Sequence, residues 1–171
     1  MQRCLCISCK FFVILLALIT VSAQSIAAPS PCAAAEYRQF DFWLGRWRVE
    51  AAGKTVGSNV ISANHNGCLL EERWTSANGG TGSSMNFYDP KRQQWRQVWV
   101  SGGTLIDLRG GLRDNSMRLT GTITYLADGS ELPFRGQWTP LVDGRVRQFF
   151  EEQRDGSWQV WFEGFYIKDV E

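Results

Sequence analysis

The sequence predicts an all-β chain: an antiparallel meander of about ten strands, closed into a barrel and plugged at one end by a short N-terminal helix. Two observations carry this. Turn signals recur at short intervals, at Ala52 Gly53 Lys54, Asn66 Gly67, Asn78 Gly79 Gly80, Asp89 Pro90, Gly102 Gly103, Asp114 Asn115, Asp128 Gly129, Asp143 Gly144 and Asp155 Gly156. Each supplies the positive or fixed φ that a chain reversal needs. Between them lie strand-length segments rich in Val, Ile, Thr, Trp, Phe and Tyr, and no gap has room for a crossover helix, so consecutive segments pair antiparallel. Such a meander hides its edges by closing on itself, and a two-sheet sandwich with Greek-key connections is the alternative.

The N-terminus reads as a signal peptide over residues 1–28. Arg3 and Lys10 precede the apolar run Phe11 to Ala23, and small residues follow to Ala28, the layout of a secretory leader with cleavage after Ala23, Ala27 or Ala28. The run is shorter than the roughly 20 residues of a bilayer-spanning helix, and no later stretch approaches that length, so the mature chain carries no transmembrane segment. Three of the five cysteines, Cys4, Cys6 and Cys9, lie in the leader. Cys32 and Cys68 remain for an oxidising compartment, periplasmic or extracellular, and a disulfide between them is expected. It ties the tail, residues 29–38, to the end of the second strand and contributes on the order of 3 kcal/mol. Without Arg3 and Lys10 the 18 basic residues become 16 against 17 acidic ones, a net charge of −1. Nothing in that balance calls for nucleic acid or an anionic membrane.

The barrel domain spans residues 39–168, and about 140 residues without the leader are enough for one real core. Glu36 to Leu44 has helical character, barely two turns, and precedes the first strand as the plug. From Gly45 to Ala51 small or apolar side chains alternate with Arg46, Arg48 and Glu50, as a half-buried strand requires. The cleanest alternation runs from Met117 to Tyr125 and again from Leu132 to Trp138, where Pro133 removes a ladder donor and belongs at a bulge, an end or an edge.

Gly45-x-Trp47 on a first strand behind a short helical turn resembles the calycin superfamily of lipocalins, fatty-acid-binding proteins and nitrobindins. A longer pattern is more specific: FDFWLGRW from Phe40 to Trp47, Gly67 Cys68 followed by Leu70, Glu72 and Trp74, then Tyr88 Asp89 Pro90, Trp95-x-Gln97-x-Trp99 Val100, Arg145 Val146 Arg147 Gln148, and Gly164-x-Tyr166. It resembles a family of small secreted bacterial proteins of unknown function with a lipocalin-like fold, and the likeness runs from Phe40 to Tyr166. The resemblance implies a fold and a compartment and supplies no catalytic residues or cofactor. The haem-binding nitrobindin branch relies on a histidine; the one histidine here, His65, stands beside a turn at a strand end, a poor place for haem.

Taking Trp47 as inward sets a phase that alternation carries round the barrel. It brings Asn59, Glu72 with Trp74, Asn86 with Tyr88, Gln97 with Trp99, and Gln148 to the interior. A closed apolar core would not select these residues, because each buried polar group without a partner costs roughly 1 to 3 kcal/mol. Aromatic walls with a few orienting polar groups are how small-molecule cavities are built. These eight residues are the expected ligand-binding set, for a small hydrophobic or amphipathic molecule; the alternative is that they satisfy one another, bind ordered waters, or face solvent after a slip of phase at a bulge. Trp43, Gly45 and Trp47 are expected to be structural; the lipocalin resemblance offers Arg147 a structural role stacked over Trp47, with a solvated strand position as the alternative. Glu72 is the one acidic residue placed deep inside, so a small cavity enzyme using it as general acid/base is an alternative, as is an envelope interaction scaffold. Two cysteines without nearby histidines make no zinc site, and the glycine-rich segment 79–84 leads into a strand rather than the helix of a phosphate loop.

Overall fold

The computed structural model describes residues 31–169; the expected signal peptide lies outside the described residues. Ten strands form one closed antiparallel ring in chain order: β1 (Gly45–Ala51), β2 (Lys54–Asn64), β3 (Leu69–Ser76), β4 (Thr81–Asp89), β5 (Gln94–Ser101), β6 (Thr104–Arg113), β7 (Ser116–Tyr125), β8 (Glu131–Pro140), β9 (Val146–Arg154) and β10 (Ser157–Lys168), which pairs back with β1. All nine turn signals fall at or beside the nine connections. Asp114 and Asn115 both hold positive φ, as a two-residue hairpin turn between right-twisted strands requires. Closure runs through Trp47 opposite Lys168 and Val49 opposite Tyr166. Every strand is paired on both sides, so the ring has no edge and the sandwich alternative falls away.

Closure turns one face of every strand inward, and alternation sorts the side chains. On β1, Trp47 and Val49 are buried; on β8 it is Phe134 and Trp138, on β9 Val146, Gln148 and Phe150. Arg135, one residue out of phase with Phe134, pairs outside the barrel with Glu151 at 2.6 Å.

The plug is made of two 3-10 turns, Ala35–Arg38 and Asp41–Trp43, at the short helical segment expected over Glu36 to Leu44. Phe40 separates them with φ near −108° and ψ near 7°, which stops a continuous helix. Tight turns suit the task, because residues three apart in a 3-10 turn share a face. Phe40 and Trp43 both point into the barrel, stacked with centroids 5.0 Å apart. Phe40 meets the edges of Trp95 and Trp138 at 5.6 and 5.3 Å, and Trp47 donates from Nε1 to the Trp43 carbonyl at 2.9 Å. Ala35–Arg38 also belongs to this cap, since Trp95 Nε1 donates to the Glu36 carbonyl at 3.1 Å. The Cys32–Cys68 disulfide clamps the segment before the plug to the β2–β3 connection. Among the described residues no helix is long and apolar enough to cross a membrane.

Arg147 does not stack over Trp47. It alternates with the inward Val146 and Gln148 and therefore faces outward, where its guanidinium lies 4.6 Å from the Phe149 ring and its Nε donates to Glu163 at 2.7 Å. The cation over Trp47 is Lys168, at 5.1 Å.

The disulfide closes a loop over a sequence separation of 36 residues. Replacing both Cys32 and Cys68 by Ser should lower unfolding free energy by about 3 to 4 kcal/mol, read from urea denaturation with the wild type as reference.

Candidate functional site

Above the plug the interior changes character. Apolar packing around Phe40, Trp95 and Trp138 gives way to a belt of buried polar side chains that reaches round the ring from β2 to β5 and from β9 to β10. Glu72 is its centre. Asn59 donates from Nδ2 to Glu72 Oε1 at 2.7 Å, and Ser84 donates from Oγ to Oε2 at 2.5 Å. Ser84 is set in turn by Asn86 Nδ2 at 2.8 Å, and Asn86 Oδ1 accepts from Gln97 Nε2 at 2.7 Å. On the other side, Asn59 Nδ2 reaches the Tyr166 hydroxyl at 3.1 Å, which donates to Gln148 Oε1 at 2.9 Å. Asn59 Oδ1 is buried without a hydrogen-bond partner, a cost of roughly 1 to 3 kcal/mol that the belt absorbs.

A cavity of about 180 Å³ rests on this belt, in the half of the barrel away from the plug. Glu72, Gln97, Gln148 and Tyr166 border it below; Trp74, Trp99, Ile106, Phe150, Trp161 and Phe162 wall it. The rings stay out of the lumen because they lie against glycines. A Cβ built on Gly57, Gly82, Gly136 or Gly164 would stand 2.6, 2.3, 2.4 or 2.5 Å from the ring of Trp74, Trp99, Phe150 or Phe162 respectively. A register shift in β10 between Val160 and Phe162 brings two consecutive residues, Trp161 and Phe162, to the cavity. Trp161 is 39% exposed and marks the rim, where its Nε1 donates to the Tyr125 hydroxyl at 3.1 Å. Tyr125 also bonds Glu152, which pairs with Arg154. Burial acts upward on the Glu152 pKa, but the hydrogen bonds from Arg154 and Tyr125 and the Arg154 charge outweigh it and hold it below the usual range.

Glu72 is in the opposite position. Burial pushes its pKa from the usual 4.5 up to about 7, against the hydrogen bonds from Ser84 and Asn59, which favour the charged form. No Lys, Arg or His contributes to it. Burial, reinforced by the Glu72 charge, holds the Tyr166 hydroxyl well above its ordinary pKa, so Tyr166 stays neutral.

Of the eight residues expected to bind a ligand, five border the cavity: Glu72, Trp74, Gln97, Trp99 and Gln148. Asn59 and Asn86 are fully buried behind them and orient Glu72 and Gln97. Tyr88 belongs to the plug end, edge-on to Tyr37 at 5.2 Å, because it lies one residue short of the β4–β5 connection. Ser84, Ile106, Phe150, Phe162 and Tyr166 were missed, although each stands an even number of residues from an inward-facing neighbour on its strand. Trp161 has no such signal, since the shift in β10 breaks the alternation that would place it. No known family model matches the chain, and no curated protein matches it.

Because its folded pKa lies above the ordinary value, Glu72 favours the folded state below about pH 4.5. That contribution is lost as pH rises through 7, on the order of 3 kcal/mol in all. Glu72→Gln removes the titration and keeps the shape. By urea denaturation it should be more stable than the wild type at pH 8, by roughly 1 to 3 kcal/mol, with the gap closing below pH 5.

Proposed function

We propose that this is a secreted or periplasmic binding protein that holds a small hydrophobic or amphipathic molecule in the open half of its barrel and catalyses no reaction. The observation that carries the reading is the cavity itself: an aromatic-walled space of about 180 Å³ resting on a hydrogen-bonded polar belt. A barrel selected only as a scaffold would fill that space with side chains. The volume is below the roughly 300 to 1,000 Å³ of drug-sized sites and near the 150 Å³ that accepts a single benzene ring, so the occupant is compact. The disulfide, the leader-like N-terminus and the resemblance of the FDFWLGRW pattern to small secreted proteins support the compartment.

A pKa near 7 is what a general base needs, and this favours Glu72 as a catalytic group. The site nevertheless lacks the other half of such chemistry. The remaining polar groups bordering the cavity are the amides Gln97 and Gln148 and the neutral Tyr166, and the second buried carboxylate, Glu152, is committed to Arg154 and Tyr125. A binding function uses every one of these features as it stands.

Protein purified from its natural source and examined by native mass spectrometry should carry a small-molecule mass that is released on unfolding. Gly82→Ala should lose it, because the new methyl drives the Trp99 indole into the lumen, and should cost about 1 to 3 kcal/mol in stability. A wild-type spectrum free of any adduct, or an unchanged adduct in Gly82→Ala, contradicts the proposal.

A further inference from the structure

We infer that the occupant of this cavity is a small organic cation, a compact primary or secondary amine with a single-ring or similarly sized apolar body, whose ammonium group is held by Glu72. The inference rests on the binding reading above and adds the ligand's charge and chemical class.

The first ground is an imbalance of charge. Glu72 is buried, and the groups facing it are Asn59 from β2, Ser84 and Asn86 from β4, Gln97 from β5, Gln148 from β9 and Tyr166 from β10. Tyr166 is the one titratable group among them, and it is neutral. Elsewhere in the barrel several carboxylates sit beside guanidinium groups, as in Arg96–Asp107 at 2.7 Å, Arg135–Glu151 at 2.6 Å and Arg147–Glu163 at 2.7 Å. A buried carboxylate left without a cation is costly as an anion, and the cost is relieved either by taking up a proton or by a positive charge supplied from outside.

The second ground is the direction of the hydrogen bonds. Both carboxylate oxygens accept, Oε1 from Asn59 and Oε2 from Ser84, and the donors are themselves oriented by Asn86 and Gln97. This wiring serves the ionised acid, since a protonated carboxyl needs an acceptor on one oxygen. The hydrogen bonds therefore favour the anion of Glu72 against the burial that opposes it, and no counter-charge stands beside it among the described residues.

The third ground is the wall. Trp74, Trp99, Phe150, Trp161 and Phe162 surround the space over the acid. Faces of tryptophan and phenylalanine carry negative potential and attract ammonium groups within about 6 Å of the ring centre, a preference that a neutral ligand does not exploit. At the border of the cavity Gln97 Oε1 makes no hydrogen bond to the described residues, which leaves it as an acceptor for an ammonium N–H. An anionic ligand would meet Glu72 as a like charge.

The test uses three probes of one shape and different charge, phenethylamine, 2-phenylethanol and 3-phenylpropionate, titrated calorimetrically into the intact disulfide-bonded protein at pH 8. Phenethylamine should bind at least tenfold more tightly than the alcohol, and the carboxylate should bind weakest. Glu72→Gln should bring amine and alcohol to within about twofold of each other, while Glu72→Asp, which keeps the charge, should retain the preference. Lowering the pH from 8 to 6 should weaken the amine about tenfold as Glu72 takes up a proton, and leave the alcohol unchanged. An alcohol that binds as tightly as the amine, or a preference that survives in Glu72→Gln, overturns the charge assignment and leaves the binding reading standing. Should none of the three bind, the adduct carried by the source protein decides: a neutral or anionic adduct overturns only the charge assignment, and no adduct overturns both readings.

Discussion

Ten strands joined in one ring enclose more space than their own side chains fill, and the rest of this molecule follows from that surplus. An eight-stranded barrel is about wide enough for its inward side chains to meet across the axis, and width grows with each added strand. Here the excess is handled differently at the two ends. At one, the chain folds its own N-terminal segment inward, and Phe40 and Trp43 complete a core with Trp47, Trp95 and Trp138. At the other, no segment among the described residues folds in, and the space persists as a cavity. The plug accounts for the aromatic richness of the segment around Phe40 and for the disulfide that fixes its approach.

The belt between the two halves answers a second question that closure raises, namely how the apolar core ends. A layer of side chains facing a wet lumen needs polar groups, but each must be satisfied in the low dielectric beneath it. Ser84, Asn86 and Gln97 meet this by bonding to one another and to Glu72 along β4 and across to β3 and β5, and Asn59 by donating to Glu72 and Tyr166, so that their directions are set by register. Glu72 is the exception in charge and the focus in geometry. It sits where the two arms of the belt meet, and its acidity is set by burial while its orientation is set by Asn59 and Ser84.

The fold was largely legible in the sequence because its determinants are local. A meander is specified by where the chain reverses, and residues such as Asp114, Asn115, Gly129 and Gly144 announce reversals through the backbone conformations they tolerate. The inward phase was legible too wherever alternation ran unbroken, which is why Glu72, Gln97 and Gln148 were placed at the cavity from Trp47 alone. What escaped was set by non-local geometry. Trp161 lies at a break in register that depends on how β10 pairs with β9, and depth along the axis, which separates Tyr88 from Trp99, depends on strand tilt and stagger round the whole ring. Of the two readings of Arg147, the outward strand position holds, on a local rule, since Gln148 beside it points inward. The 3-10 form of the plug was beyond composition, because its turns are shaped by the core they enter.

The glycines beneath the wall rings give the lumen a separate set of controls. Gly57, Gly82 and Gly136 line no binding surface themselves, yet each decides how far an indole or phenyl on the adjacent strand lies back. Glycine and alanine codons differ by a single base, so descendants of this chain can narrow the chamber stepwise while Glu72 and its donors stay untouched. On the proposed binding role, size selection and charge selection therefore reside in different residues on different layers. On that proposal a lineage can drift from a bulkier occupant to a slimmer one without rebuilding the polar floor, so that the shape of the ligand changes independently of its chemistry.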